Sequence, residues 1–470
     1  MDDARRKRAL FGVMLSIFMG AMESTVVATT MPRVVETLGN IQMYSWVFSG
    51  FLLTSTVTMP LWGRLSDLYG RRRTFLIGLT IFLVGSALSG LSSDMRQLIV
   101  FRMLQGLGAG SLITIGMTIV GDLYGLERRA KMQGYISGVW GVASLVGPLL
   151  GGFLTDYVSW RWIFYINLPI GALAMLLITT ALSGETGARR RPVIDYAGLV
   201  LFSFGISALL LGVLEGGRVA AWTGIDVVGP LAVAAIALAG FVSVERRVPE
   251  PIVPLRLFGN RMVLAAALTG FLSGVAMFGA ISFVPLFLQA VTGASATRSG
   301  SVLTPFILGW TACSVVSARL VFRVGYRNVV VAGMLCLTAA FLLFTRWAES
   351  LTALTAMRDV LLAGVGMGLT MVPMLIAVQS AVGREDLGAA TSVTQFFRTV
   401  GGAIGLSVMG AVMAQRLQSG AAMADALHGV FVVGLIVCLT AFASAFLVPA
   451  GRAQDLAAAG MRGEPTRAGG

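Results

Sequence analysis

Long apolar runs alternate with short polar gaps along this chain, from the first residues almost to the last. A helix needs about 20 apolar residues to cross the hydrocarbon of a bilayer. Fourteen runs of that kind can be drawn: 10–31, 44–62, 74–92, 98–121, 131–155, 161–182, 195–215, 224–244, 262–290, 299–319, 327–346, 352–381, 388–414 and 428–448. Most charged side chains fall in the gaps. The pattern predicts an all-α membrane protein with 14 transmembrane helices, and the even number puts both termini on one side.

Charge decides which side. The chain has 35 Lys and Arg against 22 Asp and Glu, a net charge of +13. With the N-terminus cytoplasmic, the tails and even-numbered loops carry 25 of the 35 basic residues and the odd-numbered loops carry seven, while Arg102, Arg358 and Arg398 lie within helices. That imbalance predicts cytoplasmic termini by the positive-inside rule. Composition agrees, because 56% hydrophobic and 12% charged residues lie outside the range of a soluble domain. The 58 glycines suit close helix packing in a membrane.

The arginines sit in short loops between apolar runs, so no nucleic-acid partner is expected. Cys313, Cys336 and Cys438 lie inside apolar runs and read as small buried hydrophobes. A single histidine, His428, without a cysteine cluster leaves no basis for a zinc site, and no metal or cofactor is expected. The basic residues 1–9 precede a run that contains Glu23 and lacks a convincing cleavage site, so this run reads as a spanning helix. The Gly-, Ala- and Arg-rich tail from Gly451 on reads as disordered.

Six stretches stand out. Residues 63–73, Gly63-Arg64-Leu65-Ser66-Asp67-Leu68-Tyr69-Gly70-Arg71-Arg72-Arg73, form a charged turn between two runs. Gly63 and Gly70 permit close approach and positive φ, and Asp67 can pair with an arginine or cap the next helix. A weaker echo follows the tenth run, where Ser317-Ala318-Arg319 leads through Arg323-Val324-Gly325-Tyr326-Arg327. The fourth run holds Arg102-x-x-Gln105-Gly106-x-Gly108-Ala109-Gly110. In the fifth, Gly147-Pro148-Leu149-Leu150-Gly151-Gly152 strips one helix face of side chains and places a proline to bend it. The sixth opens on Trp160-Arg161-Trp162-Ile163-Phe164-Tyr165-Ile166-Asn167-Leu168-Pro169-Ile170-Gly171, and the thirteenth carries Gln395-x-x-Arg398-x-x-Gly401-Gly402-Ala403-x-Gly405.

The 63–73 turn resembles the loop signature of the major facilitator superfamily, with Leu68 where a basic residue is usual. The other stretches and the helix count are similar to its drug:proton antiporter family with 14 transmembrane helices, with Ala143 where the helix-5 motif has Gly. The resemblance implies two six-helix bundles, at 10–182 and 262–448. A linker at 183–261 carries two inserted helices, and the tails are 1–9 and 449–470. It implies a multi-pass protein of the bacterial inner (plasma) membrane. By alternating access, such a protein exports hydrophobic or amphipathic, often cationic, small molecules in exchange for protons. The turn around Gly63, Asp67, Gly70, Arg71 and Arg72 would help lock the cytoplasmic side shut. The pattern at Gly147, Pro148, Gly151 and Gly152 would mark an exporter rather than an importer. A monomer is the expected state.

Among chemistry-bearing residues, Glu23 is the only carboxylate well inside a helix of the N-terminal bundle. Its charged form is costly there, so it can trade a proton against a cationic substrate; in the resembled family the position is usually Asp. Arg102 either faces the interior and reaches Glu23, or snorkels to the helix end. Arg398 either lines the site or is tied to backbone carbonyls. Arg358 and Asp359 read as an outer pair, Asp122 and Glu215 as solvated helix ends, and Asp226 as a helix cap. Apolar lining candidates are Met19, Met22, Trp46, Phe48, Phe278, Phe283 and Phe287, with Gln289. No G-x-x-x-x-G-K-[ST] occurs, so no nucleotide-driven reading arises. Export of one endogenous lipid, siderophore or antibiotic, proton symport, and a membrane-embedded lipid enzyme are the alternatives.

Overall fold

A computed structural model describes residues 3–40, 43–182, 195–219, 222–294 and 296–450 of the 470. The expected disordered tail and the first part of the expected linker lie outside the described residues. The regular structure described is helical: α1 Asp3–Leu38, α2 Tyr44–Tyr69, α3 Arg71–Leu91, α4 Met95–Leu123, α5 Leu126–Tyr157, α6 Trp162–Tyr165, α7 Asn167–Ala181, α8 Tyr196–Val219, α9 Ile225–Glu245, α10 Arg261–Ala290, α11 Ala296–Ser301, α12 Thr304–Phe344, α13 Ala353–Ala381, α14 Leu387–Gln418 and α15 Met423–Ala445. Among the described residues, eleven segments are long and apolar enough to cross a membrane.

The tenth and eleventh runs fall in two helical stretches of α12 that meet at Gly325, whose non-helical φ of 82° and ψ of 165° turn the chain between them. Gly70, between α2 and α3, has nearly the same backbone at φ 90° and ψ 148°, so the echo seen in the sequence is an echo in geometry. The sixth run is interrupted between α6 and α7. Pro169 has no N–H to give the carbonyl of Tyr165, four residues earlier, which is where α6 stops.

By packing, the chain divides into two units. One comprises Met1–Gly125, Tyr135–Leu199 and Arg384–Val393; the other comprises Leu126–Gly134, Val200–Gly383 and Thr394–Gly470. In the first, the glycines of the fourth run are spent on close approach. A Cβ on Gly106 or Gly110 would strike the backbone of α2, at Phe51 and Ser55, and one on Gly108 would strike α3 at Phe82. Side-chain donors then bond across the narrowed gap: Thr54 Oγ1 donates to Met103 O at 2.8 Å and Trp62 Nε1 to Leu107 O at 2.6 Å. In a membrane, where burial of apolar surface does not drive helices together, such packing and bonding hold the bundle. The second unit uses the same device, with Gly274 of α10 against the backbone of Arg398, and Gly401 of α14 against that of Phe271.

Candidate functional site

Glu23 and Arg102 meet inside the first unit. Glu23, on α1, is fully buried, and Arg102, on α4, retains 1% of its surface. Arg102 Nη1 donates to Glu23 Oε1 and, at 2.7 Å, to Gln105 Oε1 one turn on. Its Nε reaches Val47 O at 3.4 Å, and the guanidinium lies 4.1 Å from the centroid of the Phe51 ring. Arg102 therefore faces the interior rather than snorkelling. The second oxygen of Glu23 accepts from Asn167 Nδ2 at 2.8 Å, which also donates to Ser86 Oγ at 3.0 Å. Ser86 spends its own proton on Phe164 O at 2.8 Å, beside the break in the sixth run. Both carboxylate oxygens are thus partnered at the centre of an apolar bundle.

Asn167, Gln105 and Ser86 join the pair without having been singled out as site residues. Asn167 lies in the quoted sixth-run stretch, and the readable signal was an amide among apolar residues. The set still holds spare capacity, because Gln105 Nε2 and Asn167 Oδ1 are buried without a partner. Asn167→Leu leaves Glu23 Oε2 and Ser86 short of a donor. The expected loss is about 1–3 kcal/mol, read as a lower melting temperature in detergent, with an Asn167→Gln variant losing less.

A second charged cluster surrounds the 63–73 turn. Asp67 pairs with Arg71, one turn on, and its two oxygens accept the amides of Gly388 at 2.9 Å and Ala389 at 2.8 Å. Asp67 thus pairs and caps at once, but the helix it caps is α14 rather than the expected next helix. Arg71 Nε bonds Asp122 Oδ2 at 2.8 Å, and Arg384 Nε lies 3.4 Å from the other oxygen of Asp122. Asp122, expected as a solvated helix end, is instead the hub of two ion pairs. Arg64 stands 3.7 Å from Asp386. Arg72 is half-buried and Arg73 exposed. A Cβ on Gly63 would collide with Ser392 and the carbonyl of Gly388, so Gly63 serves close approach. Burial pushes the Asp67 carboxyl up from 3.8 to about 6, against the pull of Arg71 and the two amides.

The remaining candidates scatter. Gly147 packs on Thr25 and the carbonyl of Met22 in α1, where a Cβ would collide. Gly152, expected on the same stripped face, has nothing within 4 Å of a would-be Cβ. Gly151 is buried, and the side chain of Pro148 lies outside the described positions. Arg358 pairs with buried Asp359, whose other oxygen accepts Trp347 Nε1 at 2.9 Å. Phe287 is absorbed into an aromatic cluster with Trp347, Phe344, Phe431 and His428 rather than lining a cavity. Met19, Met22 and Phe283 are buried, Phe48 is partly so, Phe278 packs against Gly402, and Trp46 and Gln289 are exposed. Asp226 lies in the first turn of α9, whose cap is Gly224. Arg398 Nη1 lies 3.2 Å from Met371 Sδ.

Residues 13–406 match the family model described as Major Facilitator Superfamily. The chain is 39% identical over 416 residues to the multidrug transporter protein MdtP of Bacillus subtilis (strain 168), covering 88% of this chain and 76% of that protein. It is 35% identical over 409 residues to multidrug resistance protein 3 of the same strain, covering 87% and 80%. Among solved structures, the proton:xylose symporter XylE aligns with a TM-score of 0.69 at 12% identity, over 97% of this chain and 99% of that one.

Proposed function

The chain belongs to the major facilitator superfamily, and from that membership we propose that it is a proton-coupled antiporter with 14 transmembrane helices. It exports hydrophobic or amphipathic, often cationic, compounds by alternating access. Its membership makes it a multi-pass membrane transporter of small molecules, and the family consists of transporters rather than enzymes. The named multidrug relatives support efflux.

The observation that carries the antiport reading is the Glu23–Arg102 pair, sealed from water with both carboxylate oxygens occupied. A buried pair is stable only while both charges are present. A proton delivered to Glu23 cancels one of them, freeing Arg102 and Asn167 to rearrange. Loss of that proton recreates an anion that either recaptures Arg102 or holds a substrate cation. One carboxylate cannot serve a proton and a cation together, and that exclusion is enough to exchange one for the other. Both termini lie in the cytoplasm of a bacterial inner membrane on this reading, and the proton gradient is the only energy source required. The reading is tested in proteoliposomes with an imposed pH gradient and a panel of cationic, neutral and anionic compounds. Accumulation that ignores the gradient for every compound refutes it.

The central pair α8–α9 is expected to be dispensable for coupling. Its acids lie at or near helix ends: Asp195 accepts the Gly198 amide at 2.8 Å, Asp226 is in a first turn, Glu215 is near the end of α8 and Glu245 closes α9. Neutralising Asp195, Glu215 and Asp226 one at a time should leave substrate-induced proton release at the wild-type value. Loss of release in any one variant moves the coupling site.

A further inference from the structure

We propose that Arg398 is the receptor for an anionic oxygen group, carboxylate or phosphate, on an amphipathic molecule bound within the protein. The proposal rests on the transporter reading above and gives its substrate a chemical class.

Arg398 lies eleven residues into α14, about 16 Å along the helix and well inside the apolar run 388–414. It is half-buried there. Its side-chain partner among the described residues is the sulfur of Met371. A thioether is neutral and a weak acceptor, whereas a guanidinium offers five N–H donors and does not give up its proton. The expected tie to backbone carbonyls is not what holds it.

The contrast with Arg102 is direct, since that arginine has a carboxylate, an amide oxygen and a backbone carbonyl. Buried carboxylates of the unit containing Arg398 are committed elsewhere. Asp359 holds Arg358 and Trp347, and Glu245 accepts the Val253 amide at 2.9 Å. A permanent cation left without a counter-charge inside a membrane is costly and marks a functional position.

The neighbouring helices add donors. Gly368 of α13 packs against Trp310 and Ser314 of α12, and Met371 follows Gly368 by one turn. Trp310 Nε1 and Ser314 Oγ are both buried without a partner. Arg398 on α14 and the two unpartnered donors on α12 therefore offer N–H or O–H groups and no negative charge. The planar fork of an arginine matches a carboxylate or a phosphate with two parallel bonds. Among amphipathic compounds, one that carries a carboxylate or phosphate, a zwitterion included, is favoured at this point over its uncharged ester.

The test uses rhodamine B, which carries a free carboxylate, and its ethyl ester, which shares the ring system and lacks that charge. Binding of each to the full-length protein in phosphatidylcholine nanodiscs is read by fluorescence anisotropy, with no proton gradient. The wild type is expected to prefer the free carboxylate at least about tenfold. Arg398→Gln should reduce the ratio to about one with the ester unchanged, and Arg398→Lys should keep part of it. Equal affinities in the wild type, a preference that survives Arg398→Gln, or loss of both dyes in every variant overturns the proposal. Nanodiscs containing phosphatidylglycerol distinguish the source of the anion. Competition by that lipid, lost in Arg398→Gln, assigns the site to a headgroup; no competition assigns it to the transported molecule. Because binding is measured without transport, a failed coupling mechanism leaves this result standing.

Discussion

Glu23→Gln is expected to abolish proton-driven efflux, and Glu23→Asp to retain part of it. Glutamine preserves the shape of the side chain and removes the proton that antiport needs. It also replaces a carboxylate facing Arg102 and Asn167 with an amide that cannot balance the guanidinium. Removing one member of a buried ion pair costs about 3–5 kcal/mol, so a drop in folded protein must be separated from lost coupling. The double variant Glu23→Gln with Arg102→Met removes both charges and is expected to recover melting temperature but not efflux. The decisive reading is proton release from purified protein on adding a cationic substrate. Release from the Glu23→Gln variant equal to wild type rules Glu23 out as the coupling group.

Asp67→Asn should cut transport strongly while leaving expression and substrate affinity close to wild type. The carboxylate takes two α14 amides and Arg71 together, and an asparagine has one acceptor oxygen for three donors. The clamp also has a pH dependence of definite sign. Its carboxyl titrates near 6 when buried, against an ordinary 3.8. The buried state therefore binds the proton more tightly than a state in which Asp67 meets water. By linkage, this contribution is fully present below about 3.8 and is lost as the pH rises through about 6. Hydrogen exchange at Gly388 and Ala389, corrected for intrinsic rates, should show protection that falls with rising pH across that window. Asp67→Asn should flatten the curve. A normal transport rate in this variant would mean that the turn does not control conformational exchange.

Periodicity alone placed nearly every helix, because the cost of an unpaired backbone group in hydrocarbon leaves little choice once a run is about twenty residues long. Where it failed, one residue decided: periodicity read the sixth run as continuous, and Pro169 interrupts it. The turn expected between the tenth and eleventh runs is made at Gly325. The charged turn was readable because Asp67 and its arginines interrupt apolar sequence. Its partners were not, since the amides of Gly388 and Ala389 lie 321 and 322 residues away and backbone groups leave no mark in composition. Asp122 was misjudged for the same reason: a carboxylate at a helix end reads as solvated until its arginines are seen. Glu23 and Arg102 were each legible as charges that a membrane penalises. Asn167 was quoted only as part of a motif, because an amide is equally at home bonded to a helix backbone.

The two glycine turns bear on how this chain arose. Gly70 and Gly325 share a backbone that other residues resist, as expected if one ancestral half was copied and joined to itself. Around them the copies have parted. Three residues before the glycine stands Asp67 in one and Phe322 in the other, and directly after it Arg71 in one and Tyr326 in the other. Shape was retained by a single residue in each copy, so the charges around it were free to be lost from one. A duplicated gene that keeps its bend and drops the acid from one copy leaves a pH-sensitive clamp in the other.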